Sequence, residues 1–282
     1  MNTNKLVKAA TKVEIIVHWA LAGSLIILFV TGSALAFKFL NFIQILFAGP
    51  YIMKSIHHIV GLIFFISVIF VFFMWLKDCL FEADDLKWIV KAGGYIIRTH
   101  DLPKLAKFNP GQKIFFWYTV FFGLLASFTG YLMLYPANYN STLVQWSYPL
   151  HVLAYAMFGI GWLGHWYLGT AANPGSLCAL TTGWAPKSWV LHHRGKWPIK
   201  HTKVVLYGNL NSEVLKGLQE KLEDFFTISW EDIILDFHEV TDIDDVALDY
   251  LKKFIENAKK KGRVIIEKAK NPNIVNIIQK VT

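Results

Sequence analysis

Cysteine is nearly absent from this chain. Its 282 residues include two, Cys79 and Cys178, and neither falls in a Cys-x-x-Cys or Cys-x-x-Cys-His pattern. That excludes an iron–sulfur cluster, a structural zinc and a covalently attached c-type haem built from this chain alone. Charge is scarce too, at 17% of residues, with 20 acidic side chains against 28 basic ones. A soluble protein would carry more charge, and less than the 22 Phe and 11 Trp present here. The net charge of +8 could serve nucleic-acid binding. The cations flank apolar runs instead, so membrane topology explains them and no nucleic-acid partner is expected. A cleavable signal peptide is not expected, because the first apolar run is too long and no small-residue cleavage site is clear. No inverted repeat is visible, which argues against a transporter.

What is abundant is apolar sequence, 54% of the chain, and it is segregated. Residues 13–37, 56–76, 114–135 and 146–170 form four stretches, each about 20 residues or longer, enough to cross a bilayer once. Residues 201–282 read as ordinary soluble sequence. The expected architecture is a membrane all-α four-helix bundle over residues 1–200 and a small cytoplasmic α/β domain over residues 201–282. Lys5, Lys8 and Lys12 precede the first stretch. Lys77, Lys87, Lys91, Arg98, Lys104, Lys107 and Lys113 separate the second from the third. Lys187, Arg194, Lys196 and Lys200 follow the fourth, while the opposite loops hold only Lys38 and Lys54. The positive-inside rule then places both termini in the cytoplasm, in a multi-pass protein of the inner membrane. Residues 41–51, on the outer side, are themselves apolar and suit the interface.

Ionisable groups at membrane depth are costly and mark working sites, which singles out the histidines. His151 and His165 stand fourteen residues apart on one stretch. That is close to four helical turns, so both leave the same face about 21 Å apart at roughly 1.5 Å per residue. In the expected orientation His18 is near the inner end of the first stretch, and His57 and His58 are at the outer end of the second. The fourth stretch enters from outside, so His151 is outer and His165 inner. Depth pairs His18 with His165, and His57 or His58 with His151; neighbours on a helix point about 100° apart, so only one of the latter two can face the bundle. Any one of these could be an ordinary satisfied histidine, but four at matched depths on three stretches point to axial ligation of two b haems. Two imidazoles on one iron leave no site for small ligands, so such a haem transfers electrons. Gly23, Gly32, Gly61 and Gly130 lack a β-carbon where a flat macrocycle could approach, although small-residue helix packing alone would explain them.

At these residues the sequence resembles the gamma subunit of respiratory formate dehydrogenase, a membrane di-haem cytochrome b that passes electrons to quinone. Glu14-x-x-x-His18-Trp19 opens the first stretch and His57-x-x-x-Gly61 the second, a spacing that favours His57 as the ligand. Asn109-Pro110-Gly111-Gln112 precedes the third and resembles the family's Asn-x-Gly-Gln loop. Gly175, Gly183-Trp184, Trp189, His192-His193 and Trp197 resemble its C-terminal motif. The likeness covers about residues 10–198 and departs at Ile15, where the family often has Arg. It implies haem on His18, His57, His151 and His165, and a quinone (menaquinone or ubiquinone) site near the inner haem lined by Asn109, Gly111, Gln112 and His165. Asn and Gln amides and a glycine N–H are the donors a quinone carbonyl needs; the same four residues would also make a plain turn before a helix. The partners implied are an outer-face iron–sulfur subunit, a catalytic dehydrogenase subunit, membrane lipid and further copies of the complex. His192 and His193 fall beyond the membrane and are expected to be surface or interface residues.

In the tail, apolar runs at residues 204–207, 233–237 and 264–266 read as strands, and residues 214–226, 245–260 and 273–281 as helices. The order resembles a STAS domain of the anti-sigma-factor-antagonist kind. Where that family has a phosphorylatable serine, this chain has Asp244-Asp245-Val246-Ala247. A phosphorylation switch is therefore not expected, and the two aspartates suit a helix N-terminus. A cytoplasmic docking or stability module follows. Two rivals stand beside the formate-dehydrogenase reading: a cytochrome b of a hydrogenase or sulfur-compound oxidoreductase, and a membrane sensor or transporter with a regulatory tail.

Overall fold

The computed structural model describes residues 4–91, 93, 102–197, 199, 201–228, 232–260, 265–269 and 271–279. Arg98 and Lys200 among the inner-side cations, and Val264 and Val281 at the ends of an expected strand and helix, lie outside the described residues. Contacts divide the chain into two units, Thr11–Thr181 and Met1–Ala10 with Thr182–Thr282.

In the first unit four long helices, α1 (Lys12–Ala36), α2 (Pro50–Trp75), α4 (Pro110–Leu134) and α5 (Ser141–Gly169), pack in the cyclic order α1–α2–α4–α5. A 3-10 helix, Lys38–Phe47, joins α1 to α2, and a short helix α3 (Ala83–Val90) lies between α2 and α4. Each start has a local cause. Thr11 and Glu14 form a reciprocal capping box on α1, Pro50 and Pro110 occupy the first turns of α2 and α4, and Asn140 caps α5.

Burial in this unit runs opposite to that of a soluble protein. Ile16, Phe70, Phe73, Phe121, Phe128 and Ile160 are exposed, while Ser24, Thr31, Ser33, Ser67, Thr129 and Ser147 are buried. Most of these hydroxyls donate to a carbonyl three or four residues back on their own helix, as Ser67 does to Ile63 at 2.8 Å and Ser33 to Phe29 at 2.6 Å. Such a surface suits lipid, where small and hydroxyl-bearing residues line helix interfaces. By length and composition α1, α2 and α4 can each cross a membrane. The fourth expected stretch folds as α5, 29 residues long, but Ser141, Gln145, Ser147, His151 and His165 dilute its apolar character.

The second unit is a five-stranded sheet in the order β2-β1-β3-β4-β5, formed by β1 (Asn4–Lys8), β2 (Trp184–Pro186), β3 (His201–Leu210), β4 (Asp232–Ile243) and β5 (Ile265–Lys268). Strands β3, β4 and β5 are parallel, and β1 runs antiparallel to β2 and β3. Helices α8 (Ser212–Ile228), α9 (Asp245–Lys260) and α10 (Pro272–Gln279) alternate with these strands, after the short α7 (Lys187–His193); the short α6 (Pro174–Thr182) follows α5 at the end of the first unit. Leu206, Ile233, Leu235 and Phe237 of the sheet form one buried cluster with Leu218, Leu222, Leu251, Phe254 and Ile274 of the helices. Asp244 caps α9 by accepting from Ala247 N at 2.7 Å and also accepts from Ser212 N, at the start of α8, at 2.8 Å.

This division differs from the compositional one: residues 1–10 and 182–200 belong with the tail's unit. The reason is that β1 and β2 join by backbone pairing, which hydropathy does not register.

Candidate functional site

The four expected histidines come together as two pairs. The His18 and His165 ring centres are 6.3 Å apart, and those of His57 and His151 are 6.4 Å apart. Helix α1 supplies His18 and α2 supplies His57; both pair with α5, which carries His151 and His165 on one face. No ring or hydrogen-bond contact joins His58 to His151 among the described residues.

Two metal–imidazole bonds of about 2 Å in line would set ring centres roughly 6 Å apart, so each pair fits one iron between its rings. The donor chemistry fits as well. His57 Nδ1 lies 2.8 Å from Thr31 Oγ1, and His151 Nδ1 lies 3.0 Å from both Thr129 Oγ1 and the Ala126 carbonyl. With Nδ1 so engaged, Nε2 is the nitrogen left for a metal. Gly32 and Gly130 let neighbouring backbone approach these rings: a β-carbon would stand 3.4 Å from His57 Cε1 at the first and 3.2 Å from His151 Cε1 at the second. Gly23 faces open space, and Gly61 meets only Leu28 at 4.0 Å. In the other pair His18 Nδ1 is buried without a partner. His165 stacks on Phe115, with ring centres 4.4 Å apart and planes at 7°.

The Asn109–Gln112 segment is the first turn of α4. Asn109 Oδ1 accepts from Gln112 N at 2.9 Å, and Gln112 Oε1 accepts from Asn109 N at 3.0 Å. This capping box engages both amide oxygens and leaves both NH2 groups as donors. The Gly111 N–H belongs to the first turn, whose donors have no intrahelical acceptor. The turn before a helix and the donor set are therefore compatible readings of the same residues.

Beside these residues lies a cluster the sequence did not single out. Glu14 pairs with Lys107, which also meets Asp78 at 3.1 Å, and Glu14 accepts from Trp75 Nε1 at 2.9 Å. Lys113 pairs with Asp85 at 2.7 Å. Cys79 lies buried close by; burial, with Asp78 adding, pushes its thiol up to about 12, so it is an inert core residue. His193 and Trp189 stack 4.8 Å apart in α7, and His192 is exposed. Thr31, Thr129 and Phe115 are the contacts missed by sequence reasoning. The available signal was a Thr-Gly dipeptide in each of two apolar stretches, 31–32 and 129–130.

Imidazoles facing each other in pairs across an apolar helical bundle are the donor set of a b-type cytochrome. The chain belongs to the prokaryotic cytochrome b561 family, whose pattern matches residues 9–183. It is similar to the formate dehydrogenase cytochrome b556(fdo) subunit of Escherichia coli, at 25% identity over 190 residues, 66% of this chain and 89% of that one. The formate dehydrogenase cytochrome b556 subunit of Haemophilus influenzae is 25% identical over 228 residues, 78% of this chain and 89% of its own. The nitrate-inducible cytochrome b556(Fdn) subunit of Escherichia coli is 21% identical over 201 residues, 70% and 92% of the two chains.

Proposed function

We propose that the protein is the membrane-anchoring cytochrome b subunit of a formate-dehydrogenase-type complex. It carries electrons from an iron–sulfur subunit on the outer face to quinone on the cytoplasmic side. In this reading α5 is a fourth span and both termini are cytoplasmic. His57 and His151 hold an outer haem b, and His18 and His165 an inner one. Haem b supplies reversible one-electron chemistry when bound. The protein supplies geometry, burial and ligand orientation. The observation that carries the reading is the pair of facing imidazole sets at 6.3 and 6.4 Å on helices of a cytochrome b561 chain. The likeness to formate dehydrogenase subunits supports the choice of partners, an iron–sulfur subunit and a catalytic dehydrogenase subunit.

Quinone would meet the NH2 groups of Asn109 and Gln112, the Gly111 N–H and the free ring nitrogen of His165. Two protons taken from the cytoplasm complete its reduction to quinol. Negative charge then moves inward, storing about 2.3 kcal/mol per elementary charge per 100 mV of membrane potential. The tail, whose succession of strands and helices along the sequence resembles a STAS domain, would be a cytoplasmic docking or stability module.

A reduced-minus-oxidised spectrum of the purified protein tests the reading: a b-type α band with two haems per chain is expected. His165→Ala should lose the inner haem and quinone reduction while keeping the outer haem. A protein with no reducible haem, or one whose His165→Ala variant keeps both, would overturn it.

A further inference from the structure

The two imidazole pairs are held differently. In the His57/His151 pair each ring is gripped from a neighbouring helix by the same device, a Thr-Gly dipeptide. On α1, Thr31 Oγ1 lies 2.8 Å from His57 Nδ1, and Gly32 leaves a β-carbon's room of 3.4 Å to the ring edge. On α4, Thr129 Oγ1 lies 3.0 Å from His151 Nδ1, and Gly130 leaves 3.2 Å. Each threonine uses its own hydroxyl proton on its own helix, Thr31 toward the Ile27 carbonyl at 2.8 Å and Thr129 toward that of Leu125 at 2.7 Å. Each hydroxyl oxygen is therefore the acceptor, and each imidazole donates from Nδ1. The Ala126 carbonyl, 3.0 Å from His151 Nδ1, is a second acceptor.

The His18/His165 pair has no counterpart. His18 Nδ1 is buried and unpartnered, Gly23 faces open space, and no hydrogen bond among the described residues reaches the His165 ring.

An imidazole that donates to an acceptor through its second nitrogen is a more basic ligand. A more basic ligand favours ferric over ferrous iron, and hydrogen bonding to a ligand's far nitrogen is one of the levers by which a protein sets a haem's potential. Resting on the ligand assignment proposed above, we infer that Thr31-Gly32 and Thr129-Gly130 are matched potential-setting cradles. They make the outer haem the lower-potential of the two, so that inward transfer runs downhill. With haem held at both pairs the transfer would balance, one electron lost at the His57/His151 site and one gained at the His18/His165 site, with no group moved. The gradient opposes a membrane potential that is negative on the cytoplasmic side. The threonines are positioning residues, acting through His57 and His151.

The test is a potentiometric titration of the full-length protein in lipid, read at the α band, with haem content per chain measured alongside. His18→Ala and His57→Ala, each losing one haem, assign the two steps. The step absent from His57→Ala is expected to be the lower one. Thr31→Val and Thr129→Val should each shift that step upward and leave the other in place, whereas Thr31→Ser, which keeps the hydroxyl, should shift neither. The outer step titrating above the inner one, or valine variants that bind both haems with unmoved steps, would sink the inference. If the valine variants do not accumulate, the order of the two steps in the unchanged protein still decides it. Retention of both haems by His57→Ala would instead overturn the ligand assignment itself.

Discussion

Two lysines show how far a residue's role can depart from its type. Lys107 and Lys113 count in the sequence as inner-side cations, but neither is a free solvated charge. Lys113 is 1% exposed, 2.7 Å from Asp85 Oδ2 and 2.8 Å from the Leu80 carbonyl. Removing one partner of a buried pair leaves the other charge stranded, at a cost of about 3–5 kcal/mol. Lys113→Ala should therefore destabilise the protein by about that amount, read by denaturant unfolding followed at the haem band. Lys113→Met with Asp85→Leu, which leaves no charge stranded, should recover most of the loss. His193 makes the pH prediction. Burial first, then His192 and Arg194, hold its imidazole down to about 4, against an ordinary value of about 6.5 in the unfolded chain. The unfolded state therefore takes up the proton first. The stability that the neutral ring contributes is present above about 6.5 and lost as pH falls toward 4. Thermal melting of the tail's unit should come earlier at pH 5 than at pH 7.5, and His193→Phe should flatten that dependence. His18, His151, His165 and the adjacent His57 and His58 were legible as candidates from type and spacing, because few ionisable groups belong inside an apolar helix; the family resemblance favoured His57 of the adjacent two. Thr31 and Thr129 were not legible, because their acceptor role depends on which helix lies opposite.

At the scale of elements, the long helices were readable because a run of about 20 apolar residues has few other uses. The capping boxes at Thr11 and Asn109 then set where α1 and α4 start. Helix α3 was not foreseen; its eight residues are too few for a periodic signal, yet it carries the Asp85 that pairs with Lys113. The glycines were seen in the sequence, but packing alone could explain them until neighbouring rings were in place. Gly130 separates the two explanations. Alanine is the better helix former by about 1 kcal/mol, so Gly130→Ala should stabilise α4 if only helix propensity matters. Its β-carbon would press on His151 at 3.2 Å, so the expected outcome is instead a fall toward one haem per chain, measured by pyridine haemochrome assay.

For the molecule as a whole, the unforeseen feature is the first strand. Pairing with β2 on one side and β3 on the other, β1 lies inside the tail's sheet, though four apolar helices separate it from that tail in sequence. Deleting residues 1–8 would leave β3 as an open edge, a liability for any sheet. Limited proteolysis should then cut the tail faster, while the haem spectrum persists if the bundle keeps its own contacts. Composition and spacing by themselves determined that the chain has long apolar stretches, an α/β tail and histidines spaced to share one helix face, because each is written in local residue type and helical period. The tertiary structure set His57, which the family spacing favoured over His58, against His151, and it alone decided that lysines near the apolar stretches are buried in ion pairs, that threonines hold one histidine pair and not the other, and that residues 4–8 complete the tail's sheet. Each of these depends on contacts between residues far apart in the chain, which no local pattern encodes.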